Sequence, residues 1–284
     1  MADITAGSEL PKIKGAGLFM PAAVVAVVVL LIVPLPTGLL DALMAFNLIL
    51  SLLILLNVLY TQKATDFSIF PMVLLVVTVF SLALNVSSTR LILTQGARFD
   101  GRMIRAISQF VAGVGGTGGL VVSFILFIII TIAQAIVIAK RARHISEVAT
   151  RFSLDAMGPK LKTIEAEYNA GAITEEEADQ KRREIQMESD FSGAMDGASK
   201  FISGNVVVGI LITAINIIGG LVVGVAIHGE SSGEALVNYI SLAIGDGLLF
   251  LVPSLLVSTA AGFVVTRAAE TGTPSAPSTG GQDG

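Results

Sequence analysis

The sequence has no cysteine, only two histidines and few charges. Without cysteine there can be no disulfide, no thiolate metal site and no thiol nucleophile. His144 and His228 lie on opposite flanks of an apolar segment, so no histidine-based metal centre is expected, and no residue set calls for a cofactor. Charged residues make up 14% of the chain against 53% hydrophobic, with a mean hydropathy of +0.81, which excludes an ordinary soluble domain. The formal net charge of −4 is spread over polar loops and gives no support to nucleic-acid binding. The first apolar run follows Lys12 and Lys14 but ends in Pro34-Leu-Pro36 without an A-x-A-like cleavage site, and further runs follow. It therefore reads as a retained span and not as a signal peptide. Gly113–Gly119 lacks the Lys-Ser/Thr ending of a P-loop and a preceding strand, so nucleotide binding is not expected.

What the chain does have is a series of apolar runs long enough to cross a bilayer, which takes roughly 20 residues as helix. Six spans can be drawn: Ala16–Val33, Leu40–Tyr60, Phe70–Leu93, Leu120–Ala139, Asn205–Ile227 and Ala235–Val265. The fold class is thus all-α, a polytopic membrane protein of about six transmembrane helices with a helical cytoplasmic loop. Residues 1–139 hold the first four spans, 140–204 the loop and 205–268 the last two. Residues 269–284, rich in Gly, Pro and Ser, are expected to be a disordered tail.

Lys/Arg placement orients the spans. Lys12, Lys14, Lys63, the loop and Arg267 fall on one side, which makes both termini and the loop cytoplasmic. Arg98, Arg102 and Arg105 break the pattern, and a re-entrant stretch at Phe110–Gly119 is the alternative for that region.

The loop, Lys140 to Gly204, carries ten of the 18 Lys+Arg and twelve of the 22 Asp+Glu. A membrane anchor requires no such insert, so function is expected here and in the helices it joins. Pro159 can open a helix that Gly171 closes. Thr174 and Glu177 form a capping box, and Glu177–Lys181 and Asp179–Arg183 are i,i+4 pairs, together predicting a solvated helical hairpin.

Asp246 stands out within the sixth span, bracketed by Gly245 and Gly247. An ionisable group there is costly and faces the bundle interior, a partner or a water path, so it reads as a cation or proton relay, or else as a structural polar contact. Arg90 ends the third span, where it either pairs with a carboxylate or snorkels to the interface, and its position favours snorkelling. Asn47, Asn57, Asn85, Gln134 and Asn216 are read as interhelical hydrogen-bonding groups, Asp41 as a solvated residue near a span end.

Several stretches resemble the flagellar/type III secretion export-gate family, also called the FHIPEP family. They are Asn85-Val-Ser-Ser-Thr-Arg-Leu-Ile-Leu93, Glu147-Val-Ala-Thr-Arg-Phe-Ser-Leu-Asp-Ala-Met157, Asn169-Ala-Gly171, Asp190-Phe-Ser-Gly-Ala-Met-Asp-Gly-Ala-Ser-Lys-Phe201, Asn216-Ile-Ile-Gly-Gly220, and Ile244-Gly-Asp-Gly247 with Ser258-Thr-Ala-Ala-Gly262. They run in family order over about Ala16–Ala268. The resemblance implies a bacterial inner-membrane protein, assembled as a homo-oligomeric, nonameric ring within membrane lipid beside other secretion-apparatus membrane proteins. Such a ring would couple proton flow to export of protein substrates, alongside a cytoplasmic ATPase. Carried over by position, Arg90, Asp155, Lys160, Glu165 and Asp196 are the charged residues implied in proton coupling or gating, and Asp246 joins them on the membrane argument. Departures from the family pattern are Gly158-Pro159-Lys160, where the family has Pro-Gly-Lys, Glu165 and Glu167 in place of two aspartates, Asn205 in place of an acidic residue, and Leu249-Phe-Leu-Val-Pro253 without the usual Gln. Family members continue into a large cytoplasmic domain, so the chain is expected to be a shortened version.

The function so implied is that of an export-gate component and not of an enzyme. The alternatives are a small secondary transporter or ion channel with Asp246 and Arg90 on its path, or a fragment that only scaffolds a ring. Against the transporter, no convincing internal repeat or pair of interrupted helices is present.

Overall fold

The computed structural model describes residues 15–60, 69–112, 116–136 and 143–271. Lys12, Lys14, Lys63, Lys140 and residues 272–284 of the expected tail lie outside the described residues.

Among the described residues eight α-helices follow one another: α1 (Gly15–Ile32), α2 (Thr37–Tyr60), α3 (Phe70–Gln95), α4 (Arg102–Ala112), α5 (Gly116–Gln134), α6 (Arg143–Asn169), α7 (Glu175–Ala226) and α8 (Ser232–Thr271). No strand occurs among the described residues. The protein is an all-α polytopic membrane protein. Among the described residues four helices, α2, α3, α7 and α8, are long and apolar enough to cross a membrane, and the apolar part of α5, Gly118–Gln134, is shorter. A dry bilayer supplies no partner for a bare N–H or C=O, and helices satisfy those groups internally.

The loop is helical, but its layout differs from the expectation at three points. First, α6 begins 16 residues before Pro159, which lies inside the helix and does not open it. Proline at an interior position forfeits one backbone bond, and packing of α6 along α7 and against α8 outweighs that loss. Second, α7 is one helix of 52 residues, about 78 Å at 1.5 Å per residue, and passes through 204–205 without a break. The polar and apolar halves that hydropathy separates are a single rod. Third, the pairs Glu177–Lys181 and Asp179–Arg183 give way to others: Lys181 Nζ reaches across the hairpin to Glu167 at 2.6 Å, and Asp179 takes Arg182 at 2.9 Å. The Lys181 contact ties α7 to α6, which a pairing within α7 could not do.

The hairpin turn is as predicted. Gly171 adopts φ +70° at the end of α6, and Ala172 N donates to Glu167 O at 2.9 Å. Thr174 then caps α7: its hydroxyl accepts from Glu177 N at 3.2 Å while Glu177 accepts from Thr174 N at 2.8 Å.

At the opposite end of the bundle a short 3-10 turn, Gly96–Arg98, leads from α3 into α4. Asp41, partly exposed near the start of α2, also caps α4. Its two carboxylate oxygens accept from the first backbone N–H groups of α4, Arg102 at 2.8 Å and Met103 at 3.0 Å. Arg105 folds back onto the carbonyls of Phe99 and Ala97. The arginines that break the charge pattern therefore belong to a turn and short helix packed against α8. The re-entrant alternative at Phe110–Gly119 falls partly outside the described residues; Gly116–Gly119 open α5.

Two large apolar clusters divide the core. At the hairpin end, Phe70, Leu74 and Val77 of α3 meet Met195 and Ile202 of α7 and Val257 and Val264 of α8. At the other end Leu91 and Ile92 pack with Phe99, Ile104, Tyr239 and Leu242. Between the two lies a polar layer.

Candidate functional site

Asp246 sits in that layer, 2% exposed. The Ser88 hydroxyl of α3 is 2.5 Å from its Oδ1, and the Asn216 amide of α7, itself fully buried, donates to its Oδ2 at 2.9 Å. No lysine, arginine or histidine joins this carboxyl among the described residues. A charge taken out of water without a cation is held at several kcal/mol of desolvation cost, which only good hydrogen bonds offset.

The two bracketing glycines explain how a short acid can sit so deep. A Cβ on Gly245 would strike the Ile104 carbonyl oxygen of α4, and one on Gly247 would lie 2.6 Å from the Phe127 ring of α5. The bare backbone lets α4 and α5 close on α8 while Asp246 points between α3 and α7.

The geometry accommodates the carboxyl with or without its proton. Ser88 Oγ lies 2.8 Å from the Asn85 carbonyl as well as against Asp246. A hydroxyl offers one donor and two acceptor lone pairs. With Asp246 ionised, the Ser88 proton points to Oδ1. With Asp246 protonated, Oδ1–H donates to Ser88 Oγ, and the Ser88 proton turns to the Asn85 carbonyl. Asn216 donates to Oδ2 in both forms. Gain and loss of a proton thus require only rotation of one hydroxyl.

The other five candidates do not converge on Asp246. Arg90 neither pairs with a carboxylate nor extends freely to the interface: its guanidinium donates to the carbonyls of Ile32 and Leu31, both at 2.9 Å, and closes the C-terminus of α1. These carbonyls have no helical donor of their own, so a cation there satisfies them and meets the negative end of the helix dipole. Arg267 does the same for α2, at the Val58 and Leu59 carbonyls. Asp155 and Glu165 are exposed on α6, and neither makes a hydrogen bond or ion pair among the described residues. Lys160 pairs across the hairpin with Glu188 of α7 at 2.9 Å. Asp196 takes Lys200 at 2.7 Å through Oδ2, while its Oδ1 is buried without a partner among the described residues.

Ser88 and Glu188 carry contacts that no sequence signal singled out. Ser88 does lie one residue before Thr89-Arg90 in a quoted stretch, but serine in a helix commonly bonds its own backbone. Its partner is 158 residues away. The sequence reads Asn216 as an interhelical group, and its partner is the Asp246 carboxyl. Among the described residues no group of His, Asp and Glu could hold a metal ion.

The FHIPEP family matches residues 27–278. The chain is 60% identical over 254 residues to the "Flagellar biosynthesis protein FlhA" of Treponema pallidum, covering 89% of this chain and 36% of that protein. It is 47% identical over 250 residues to the protein of the same name from Bacillus subtilis, covering 88% of this chain and 36% of the relative. Against the "Putative flagellar export/assembly protein LfhA" of Escherichia coli O44:H18 the figure is 42% over 271 residues, 94% of this chain and 38% of that protein. The chain thus spans little more than a third of the length of these relatives. No solved structure matches it.

Proposed function

This chain belongs to the FHIPEP family, and from that premise we propose that it forms membrane-embedded machinery of a flagellar type III export gate in which proton transfer at Asp246 is coupled to protein export. The observation that carries this reading is a carboxyl buried between three helices, with hydrogen-bond partners for both of its protonation states. The names of the relatives support the flagellar assignment.

In this reading the chain is a multi-pass protein of the bacterial inner membrane, crossing six times with α1 and α5 as spans beside the four longer helices. The α6–α7 hairpin and both termini face the cytoplasm, following the Lys/Arg excess. Several copies form a ring with other secretion-apparatus proteins. Asp155 and Glu165, exposed on α6, face neighbouring subunits or exported substrate. Lys160 keeps the hairpin in register through Glu188, Asp196 pairs with Lys200 within α7, and Arg90 acts as a positioning residue that ties α1 to α3. Because α7 is one rod, a displacement of the hairpin is transmitted to Asn216 and so to Asp246, which is the physical basis for coupling.

The test is a chimera in which this chain replaces the matching segment of the Bacillus subtilis relative, in cells lacking their own copy. The expected result is restored flagella. A chimera that accumulates in the membrane yet restores none would overturn the assignment.

A further inference from the structure

Two small cavities, each about the size of one water molecule, lie in succession from Asp246 toward the hairpin. The first is lined by Met44, Asn47, Ser81, Asn85, Asp246 and Phe250. The second lies one step nearer the hairpin, lined by Ser51, Thr78, Ser81, Asn205, Pro253 and Ser254. Ser81 belongs to both walls, so the two form one seam between α2, α3, α7 and α8.

The seam is polar beyond what its own side chains can satisfy. Asn47 Oδ1, Asn85 Oδ1, Asn205 Oδ1 and Ser254 Oγ have no hydrogen-bond partner among the described residues, and all four residues are at least nine-tenths buried. Asn47 does spend its amide on Ser81 Oγ at 3.2 Å, which leaves its carbonyl to find another donor. Pro253 adds to the shortage, since it has no N–H for the carbonyl of Leu249, which also lines the first cavity. A buried acceptor without a donor is costly, and a buried water that makes about three hydrogen bonds is the usual remedy. On the other side of Asp246, Leu91, Ile92, Tyr239 and Leu242 belong to an apolar cluster in which the Tyr239 hydroxyl has no hydrogen-bond partner among the described residues.

We propose that this seam holds a short file of buried water from Asp246 to Asn205, giving the carboxyl a proton route toward the α6–α7 hairpin. Its use as a proton route rests on the reading of Asp246 given above; the water file does not. At the hairpin end Ile202 and Val257, which belong to the apolar cluster there, form part of the wall of the second cavity.

X-ray radiolytic footprinting of the whole chain in lipid nanodiscs tests this, because hydroxyl radicals form at bound water and oxidise the side chains beside it. Phe250 and Met44 line the seam, while Phe127 and Met195 are buried in apolar clusters. The expected result is oxidation of Phe250 and Met44 several-fold faster than of Phe127 and Met195. Ser81→Leu, which fills the junction, should abolish the difference. If that variant does not fold, Thr78→Val is the second probe and should slow oxidation of Pro253 several-fold. Equal rates for Phe250 and Phe127, or for Met44 and Met195, in the folded parent protein overturn the proposal. So does unchanged labelling in a folded variant. The outcome is separable from that of the chimera: a dry seam leaves the export reading standing, and a chimera without flagella leaves the water file standing.

Discussion

Replacing Gly245 by alanine should destabilise the protein, whereas the same change at Gly262, on the same helix, should not. At Gly245 the new methyl meets the Ile104 carbonyl oxygen and lies 3.0 Å from Ser108 Cβ. The obstacle is backbone, and α4 has little freedom to retreat. Asp41 holds its first two N–H groups, and Arg105 pins the preceding turn through the carbonyls of Phe99 and Ala97. Overpacking of this kind costs about 1–3 kcal/mol. Alanine's better helix propensity returns roughly 0.5–1 kcal/mol. The net expectation is a loss on the order of 1–2 kcal/mol. At Gly262 a Cβ meets nothing within 4 Å, so only the propensity gain remains. The two variants should therefore differ by about 2 kcal/mol in denaturant titrations followed by circular dichroism in mild detergent. If Gly245→Ala proves as stable as Gly262→Ala, α4 does not press on α8 as described, and the account of why glycines bracket Asp246 fails.

The hairpin pair Lys160–Glu188 is only partly buried, so its coupling in a double-mutant cycle should be about 0.5–1 kcal/mol; Lys160→Glu should impair the hairpin, and adding Glu188→Lys should restore it. A swap that rescues nothing would mean Lys160 acts on its own. Asp41→Ala removes the cap of α4 and should cost about 1–2 kcal/mol by the same titration, with Asp41→Asn milder; an unchanged midpoint would refute the capping role. Glu165 is exposed, so Glu165→Gln and Glu165→Asp should each change stability by less than about 0.5 kcal/mol, whatever they do to export. A larger loss from either would reveal a partner for Glu165 that the single chain does not contain.

How much of this was legible in the sequence varied with the range of the interaction. Local signals were reliable: the Thr174–Glu177 box and the Gly171 turn depend on a few adjacent residues and formed as read. Asp246 was legible because a carboxyl in an apolar run is costly wherever its partners lie. Those partners were harder to read. Ser88 and Asn216 meet Asp246 only because α3 and α7 flank α8, and nothing in a serine's neighbours announces that. Arg90 and Arg267 look like interface residues, yet each closes the end of a different helix, a role set by where the end of α1 or α2 falls. Hydropathy divided α7 at 204–205 because lipid and water see different halves, but the backbone has no reason to break there. Pro159 misled for the complementary reason: a local rule about helix starts yielded to packing along α7.

The most direct measurement is Asp246→Asn in the Bacillus subtilis chimera. Asparagine keeps the shape of the protonated acid: its amide can donate to Ser88 Oγ, whose proton turns to the Asn85 carbonyl, and its oxygen can accept from Asn216. The variant should therefore accumulate in the membrane at the parent's level and unfold within about 1 kcal/mol of it. It cannot release a proton, so export of flagellar subunits should fall at least tenfold. Normal export by a stably inserted Asp246→Asn chimera would show that the carboxyl is a structural contact between α3, α7 and α8 and contradict the coupling role assigned to it.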